Sequence, residues 1–426
     1  MEKTVFESPI GQSYVKAVLE NGLQIYIMEK PQHRSAYAIY GTKYGSIDTK
    51  FSKNGEPEIE VPEGIAHFLE HKLFESEDGD AFTRFAETGA SANAFTSFDR
   101  TCYLFSCSDR FYENLDILLD FVQKPYFTAA TVQKEQGIIG QEIRMYDDNP
   151  GWRILFNLLS VMFPQHPVHI DIAGTVDSIA QIDDQLLYAC YHTFYNPSNM
   201  FICIAGNIDI ERTLKQIEAG IHEAQPITVT RADFHDEAAP QTHYVEQALD
   251  VAIPMFCYAF KQKIDGNFPN LKNRICMNLL CEVLCGDASP LYAKLTEDKL
   301  INDEFDFEYF TGNGYAAVMF DGESNEPKAV ANAILQEIAR VREEGLDKKL
   351  FSAAKCSLYG DAVRRFDSVE GIAMQLTDCA VNNEALFDEL RLLKSVTAED
   401  VARLLDGFSE EQSVLSVIVP RENPEE

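Results

Sequence analysis

The sequence predicts an α+β protein of two similar domains, each with a mostly antiparallel sheet covered by helices. Three observations support this prediction. The chain has 426 residues, which is more than one ordinary domain contains. Strand-like apolar runs open and close each half of the sequence, and helical patterns lie between them. We therefore expect two homologous α/β-sandwich domains.

The elements follow one another in the same order in both halves. The strand-like runs are residues 23–28, 36–40 and 200–205 in the first half, and residues 251–260 and 414–419 in the second. Helical periodicity is clear over residues 112–122 and 329–343. Residues 221–242 are rich in Thr, Asp, Glu and Ala and contain two prolines, which is typical of a linker. The predicted organisation is one domain over 1–220, a linker over 221–242 and a second domain over 243–426.

Composition restricts the class of partner and the compartment. A net charge of −32 makes nucleic acid an unfavourable ligand, and acidic residues that line a cleft would favour positively charged peptides. The sequence has no apolar run of 18 residues and no basic start followed by an apolar segment, so we expect neither a membrane span nor a signal peptide. Ten cysteines without regular spacing fit a reducing compartment. We expect a cytoplasmic protein.

The segment His67-Phe68-Leu69-Glu70-His71 is a zinc-peptidase motif in inverted order. On a helix, positions 67, 70 and 71 share one face, so two imidazoles can hold one zinc while the carboxylate acts on water at the open position. Apolar residues surround the motif, and uncompensated polar groups would be costly among them. The alternative is an incidental cluster on a surface helix, but the apolar surroundings favour a metal site.

A second helical pattern, over residues 131–144, offers carboxylates for the third ligand. Glu135 and Glu142 are seven residues apart, which is two helical turns, so both lie on one face. A catalytic zinc usually has three protein ligands and one open position. Taken alone, the pair would be interpreted as a solvated acidic stripe.

These residues together carry a family resemblance. The motif at 67–71, the later Glu pair, and the segment from Asn93 to Tyr103, which is similar to an Asn-Ala-x-Thr-x-x-Asp-x-Thr-x-Tyr strand, resemble the pitrilysin/insulinase family of metallopeptidases. The likeness is specific over about residues 60–150 and continues more weakly to the C-terminus, and it points to a short bacterial branch similar to processing peptidases. The resemblance implies two homologous domains of the LuxS/pitrilysin-like fold, of which 1–220 is catalytic and 243–426 is metal-free.

The resemblance also assigns roles to residues. It makes His67, His71 and Glu142 the ligands of one Zn²⁺ per chain, with Glu70 as the general base. Glu135 matches the family's second glutamate, a catalytic residue that is not a ligand and acts on a ligand or through its charge. It is also the alternative ligand, because His71 and Glu142 are slightly closer in sequence than is usual in the family. Asn93 and Ala94 match the strand that binds an extended peptide by β-augmentation.

We expect a zinc-dependent endopeptidase that hydrolyses peptides or unfolded segments. The alternative is a non-proteolytic scaffold or assembly subunit, and a zinc-storage module is disfavoured because a carboxylate beside an open zinc site indicates catalysis. In the family, the metal-free half often supplies an Arg and a Tyr, but residues 313–320 contain only Tyr315. We therefore expect a partner chain, in either a homodimer or a heterodimer with a metal-free paralogue.

Overall fold

The computed structural model describes residues 1–77, 79–234, 236, 238–264 and 266–421. The strands of this part of the chain are β1 (Glu2–Glu7), β2 (Ser13–Val18), β3 (Gln24–Glu29), β4 (Ala36–Thr42), β5 (Lys50–Lys53), β6 (Ile59–Glu60), β7 (Glu75–Ser76), β8 (Gly79–Asp80), β9 (Ser91–Thr96), β10 (Thr101–Cys107), β11 (Met200–Gly206), β12 (Val229–Arg231), β13 (Tyr244–Leu249), β14 (Met255–Lys261), β15 (Asp306–Gly312), β16 (Tyr315–Glu323) and β17 (Ser413–Pro420).

The helices are α1 (Ile65–Leu73), α2 (Ala81–Thr88), α3 (Phe111–Val122), α4 (Ala129–Asp147), α5 (Pro150–Met162), α6 (Val176–Ile179), α7 (Asp184–Phe194), α8 (Ile210–Gly220), α9 (Leu271–Cys285), α10 (Pro290–Glu297), α11 (Pro327–Glu344), α12 (Lys348–Arg364), α13 (Val369–Asn382), α14 (Asp388–Ser395) and α15 (Ala398–Ala402). No helix in the described ranges is long and apolar enough to cross a bilayer.

The first compact unit comprises residues 1–143, 171–232 and 363–388. Its seven-stranded sheet has the order β1-β2-β3-β11-β4-β10-β9, in which β3 and β11 are parallel and the other neighbours are antiparallel. Strands β4 and β11 are buried along their whole length because they lie at the centre of this sheet. Strand β9 forms one edge, which leaves one side of its backbone without a neighbouring strand among the described residues.

The second compact unit comprises residues 144–170, 233–362 and 389–426. Its five-stranded sheet has the order β13-β17-β14-β16-β15, with β13 and β17 parallel and the rest antiparallel. The order and directions match those of β3-β11-β4-β10-β9 in the first unit. The predicted fold class, two homologous domains with mostly antiparallel sheets and covering helices, is confirmed.

Each unit contains a helical segment from the other half of the sequence. Helix α13 packs against β11 and β4 of the first unit, and Lys30 Nζ donates to the carbonyl of Phe366 at 2.7 Å. Helix α5 packs against β17 and β14 of the second unit, and Ser416 Oγ donates to the carbonyl of Ile154 at 2.9 Å. Apolar periodicity marks such helices as amphipathic but does not say which sheet receives them.

Residues 221–242, the predicted linker, include strand β12, which pairs with β5 in a small three-stranded sheet of the first unit. The predicted domain boundaries at residues 220 and 243 stay a prediction. In the second half, the strand predicted over 251–260 begins only at Met255, directly after Pro254. A proline has no N–H to donate to a strand ladder, so the strand starts after it.

A glycine contact fixes where α1 begins. Gly64 is the N-cap of α1 and has a left-handed backbone with φ of 83°. A Cβ at this position would lie 2.3 Å from the carbonyl oxygen of Ala173, so only glycine allows the two backbones to approach. The N-cap of α1, three residues before His67, is therefore held against the loop at Ala173.

Candidate metal centre

Helix α1 presents the three polar residues of the inverted motif on one face. His67 and Glu70 are buried, with 9% and 8% of their surface exposed, and His71 is half-buried. The ring centroids of His67 and His71 are 4.5 Å apart. Because the apolar residues of α1 are all buried, the helix cannot turn these side chains toward solvent without exposing its core face.

Helix α4 brings Glu142 to the two histidines. Its Oε1 lies 3.8 Å from Nε2 of His67, and its Oε2 lies 3.5 Å from Nε2 of His71. One ligand atom from each of the three residues lies within 4.8 Å of the others, and no other such group of His, Cys, Asp or Glu is found in the described ranges. His71 and Glu142 are far apart in the sequence, and the fold brings the side chains of α1 and α4 together at this point.

Glu135 contacts this group through His71. Its Oε1 lies 3.1 Å from Nδ1 of His71, which must donate because an ionised carboxylate only accepts. With the hydrogen on Nδ1, the Nε2 atom of His71 keeps its lone pair and faces Glu142. Nδ1 of His67, by contrast, is buried without a hydrogen-bond partner among the described residues. The alternative in which Glu135 replaces Glu142 as a ligand finds no geometric support, because Glu135 contacts the opposite ring nitrogen.

The donor set fits a zinc ion. Two imidazole nitrogens and one carboxylate are a common catalytic zinc set, and bonds of about 2.0–2.2 Å in a tetrahedron place ligand atoms about 3.4 Å apart. The separations of 3.5 and 3.8 Å between Nε2 atoms and carboxylate oxygens are close to that spacing. They are longer than ordinary hydrogen bonds, so direct N–H···O contacts do not explain the arrangement.

Burial and charge set the protonation of the two imidazoles. Burial, together with the neighbouring His71, lowers the pKa of His67 to about 3, so its ring is neutral at pH 7. Burial also acts to lower the pKa of His71, but its hydrogen bond to Glu135 and the charges of Glu70 and Glu142 outweigh burial and raise that pKa. The pKa of Glu135 is lowered in turn: burial acts to raise it, but the hydrogen bond with His71 outweighs burial.

Glu70 is held from the side of strand β9. Thr96 Oγ1 donates to Oε2 of Glu70 at 2.6 Å. Burial raises the pKa of Glu70, while the Thr96 hydrogen bond and the charge of His71 act against it. A carboxyl whose pKa is raised is a stronger proton acceptor when ionised, which suits a general base.

Strand β9 also carries the predicted substrate residues. Because side chains alternate along a strand, Ala94 shares a face with Thr96, and Asn93 lies on the opposite face. Oδ1 of the exposed Asn93 accepts from the backbone N–H of Ala94 at 2.9 Å. The structure thus places Ala94 on the side of β9 that contains the Glu70 contact, and both residues lie on the sheet edge.

Tyr315, the remaining half of the expected Arg/Tyr pair, is a core residue of the second unit. It is 3% exposed, and its ring lies against Phe163, His166 and Phe310, with centroid distances of 6.0, 5.1 and 5.1 Å. Packing in the core of the second unit therefore accounts for the presence of Tyr315.

The sequence reasoning missed the contact between Thr96 and Glu70. Thr96 and Thr101 both belong to the strand motif that carries the family resemblance, so the signal was present. The contact was hidden because Thr96 meets Glu70 only through the pairing of β9 with β10 and the packing of α1 against these strands.

Two family descriptions match the chain. Residues 57–176 match "Insulinase (Peptidase family M16)", and residues 181–358 match "Peptidase M16 inactive domain". The first range includes both histidines and all three glutamates of the site, Glu70, Glu135 and Glu142. The second range contains most of the second unit's strands.

Individual relatives agree with these matches. The chain is 41% identical to "uncharacterized zinc protease YmfH" from Bacillus subtilis (strain 168), over 99% of this chain and 100% of the relative. Among solved structures, a putative M16-like peptidase from Alicyclobacillus acidocaldarius superimposes with a TM-score of 0.92 at 34% identity, covering 98% of this chain and 100% of the other. A protease from Helicobacter pylori, with a TM-score of 0.81 at 18% identity over 96% of this chain and 100% of the other, shares the fold.

Proposed function

We propose, because this chain belongs to the insulinase family (peptidase family M16) and is of the YmfH type, that it is a zinc-dependent endopeptidase. Its substrates would be peptides or extended, unfolded segments of proteins. One observation carries the proposal: the Nε2 atoms of His67 and His71 face the two oxygens of Glu142 at 3.8 and 3.5 Å. The carboxylate of Glu70 lies on the same helical face as the two rings.

The residues divide into those that would hold zinc and those that would move a proton. His67, His71 and Glu142 would hold the ion, and Glu135 would orient His71 through Nδ1. Zinc, when bound, would supply a Lewis acid that polarises the attacking water and the scissile carbonyl. Glu70 would take a proton from that water as the new C–O bond forms, and would pass it to the amine nitrogen as the C–N bond breaks.

The open edge of the first sheet supports an extended substrate. Strand β9 pairs only with β10 among the described strands, so its outer backbone groups are available to a peptide strand. We propose that Asn93 and Ala94 form part of that edge site. Main-chain hydrogen bonds of this kind recognise an extended conformation more than a particular sequence, which fits a broad substrate range.

A second chain belongs to the proposal because the segment of residues 313–320 contains Tyr315 but no arginine in its sequence. We propose that a partner, either a second copy or a metal-free paralogue, contributes the donors that stabilise the developing oxyanion. Light scattering of the purified chain, alone and mixed with such a paralogue, measures which assembly forms.

The test is cleavage of a mixed, quenched-fluorescent peptide library by the chain and by its Glu70→Gln variant. We expect cleavage that stops on chelation, returns with zinc and is lost in Glu70→Gln, while the variant still binds one zinc per chain. Glu218→Gln, on the exposed side of α8, is the control and keeps full activity. One bound zinc without cleavage, alone and with the partner, would overturn the enzyme in favour of an assembly subunit.

A further inference from the structure

We infer that Thr96 is a positioning residue for the general base: its hydroxyl, placed by the pairing of β9 with β10, holds one oxygen of Glu70 and leaves the other for the substrate water. This inference rests on the proposed function and concerns the same site. It is carried by the hydrogen bond from Thr96 to Glu70 and by the pairing of Thr96 with Thr101 across β9 and β10. Thr96 is half-buried and Thr101 is fully buried.

The direction of each hydrogen bond follows from the number of hydrogens. A threonine hydroxyl has one hydrogen to donate. Thr101 Oγ1 lies 2.9 Å from the backbone carbonyl of Tyr44, which can only accept, so the Thr101 hydrogen is committed there. Thr96 Oγ1 lies 3.3 Å from Thr101 Oγ1 and 2.6 Å from Oε2 of Glu70. The hydrogen of Thr96 therefore goes to Glu70 when the carboxylate is ionised.

The length of the contact with Glu70 agrees with this assignment. Hydroxyl-to-carboxylate hydrogen bonds are about 2.5–2.7 Å long and are stronger than neutral ones. The Thr96–Glu70 distance of 2.6 Å lies in that range, whereas the contact at 3.3 Å with Thr101 is longer than a strong hydrogen bond. One carboxylate oxygen is thus occupied from the side of β9, and the other oxygen is left to accept a proton.

The backbone of Thr96 is fixed by the sheet, since Thr96 is paired with Thr101 across β9 and β10. Thr101 Oγ1 donates to the carbonyl of Tyr44, whose ring is fully buried and stacks on Phe194 at a centroid distance of 3.9 Å. Because Thr96 is paired with a residue that is anchored in the core, its hydroxyl holds the carboxylate in one orientation, which is what general-base catalysis requires.

The test uses Thr96→Val, which removes the hydroxyl and keeps the shape, and Thr96→Ser, which keeps the hydroxyl. We expect Thr96→Val to lower kcat by about 10- to 100-fold, with KM and bound zinc unchanged, and Thr96→Ser to stay within a few-fold of the unsubstituted chain. Thr311→Val is the matched control, because Thr311 is a half-buried threonine on the edge strand β15 of the second unit. It should leave kcat and KM unchanged.

The outcomes separate this inference from the proposed function. Equal kcat for Thr96→Val and the unsubstituted chain would overturn the role of Thr96 and leave the peptidase proposal standing. Equal losses in Thr96→Val and Thr96→Ser, or loss of zinc from Thr96→Val, would show a structural role and overturn the inference as well. Absence of zinc-dependent cleavage by the unsubstituted chain, tested with its partner, would overturn both.

Discussion

His71 donates from Nδ1 to Oε1 of Glu135 across 3.1 Å, and its Nε2 atom faces Oε2 of Glu142 at 3.5 Å. Two carboxylates two turns apart on α4 thus contact the two nitrogens of one ring. The two carboxylates therefore differ in role. Glu135 fixes the tautomer and the orientation of the ring, and Glu142 lies where the lone pair of Nε2 points.

Removal of Glu135 should weaken zinc binding without abolishing it. In Glu135→Ala the imidazole of His71 loses its acceptor, and we expect zinc affinity to fall by about 10- to 100-fold. The side-chain oxygen of Glu135→Gln still accepts, so the zinc affinity of this variant should lie between those of Glu135→Ala and the unsubstituted chain. Competition with a chromophoric chelator measures the affinity, and Glu218→Gln serves as the control. Equal affinity in Glu135→Ala and the unsubstituted chain would contradict the orienting role.

Two glycines inside α4 should be replaceable with a gain in stability. Gly137 and Gly140 lie between Glu135 and Glu142, and a Cβ at either position would meet no neighbouring atom within 4 Å. Glycine inside a helix costs about 0.5–1 kcal/mol relative to alanine, so Gly137→Ala and Gly140→Ala should each raise the free energy of unfolding by that amount. Chemical denaturation measures it.

Gly360→Ala is the matched control for the α4 substitutions. Gly360 lies inside α12 and is equally open, so its replacement should give the same gain away from the metal centre. If the α4 variants gained stability but lost cleavage while Gly360→Ala kept it, the flexibility of α4 would matter for activity. A loss of stability in the α4 variants would show that their backbone departs from a regular helix.

A buried ion pair in the second unit should be intolerant of single substitutions. Lys261 Nζ lies 2.8 Å from Oδ1 of Asp236, and it also donates to the carbonyls of Met162 and Ala238 at 2.8 and 2.9 Å. Lys261→Met leaves the carboxylate of Asp236, whose side chain is 1% exposed, without its partner. We expect the free energy of unfolding to fall by about 3–5 kcal/mol.

The double variant Lys261→Met/Asp236→Leu tests the cause of that loss. With both charges removed, no buried charge lacks a partner, so most of the stability should return. Denaturant unfolding of the single and double variants gives the coupling between the two residues. A double variant as unstable as Lys261→Met would mean that packing, and not the unpaired charge, causes the loss.

Stability should fall in mild acid because His166 is neutral in the fold. Burial, first of all, lowers the pKa of His166 from its ordinary value of 6.5 to about 4. Nε2 donates to the carbonyl of Asn313 at 2.9 Å, and Nδ1 accepts from the N–H of Val168 at 3.0 Å, so neither nitrogen has room for another hydrogen. In the unfolded chain His166 binds a proton below pH 6.5, whereas in the folded chain it binds one only below about pH 4.

The sign of the pH effect follows from that difference. Where the unfolded state binds more protons, stability rises with pH, so the contribution of His166 is fully present above pH 6.5 and is lost as pH falls toward 4. The loss amounts to about 3 kcal/mol. Unfolding of the metal-free chain and of His166→Gln between pH 4 and 7 measures it, and the variant should show the flatter profile. Parallel profiles would exclude His166 as the cause.

Sequence patterns predicted the parts of this protein whose signal is local. The inverted motif places His67, Glu70 and His71 on one helical face because helix geometry alone relates positions three and four residues apart. The duplicated order of strands and helices was also predictable, since apolar alternation and periodicity are read over short windows. The alternation did not locate the start of β14, where Pro254 delays the strand.

Contacts between distant segments were outside the reach of those patterns. The approach of Glu142 to the histidines depends on how α4 packs, and the contact of Thr96 with Glu70 depends on the pairing of β9 with β10. The exchange of α5 and α13 between the two halves of the sequence is of the same kind, because an amphipathic helix does not specify which sheet covers its apolar face.

The sequence by itself determined the fold class, the membership of the metallopeptidase family and the helical face that carries two imidazoles and a carboxylate. Tertiary structure alone decided that Glu135 contacts Nδ1 of His71 while Glu142 faces Nε2, and that Thr96 occupies one oxygen of Glu70. The physical reason is that residue type and spacing fix what a side chain can donate or accept. Which partner it meets depends on packing between segments that are far apart in the chain.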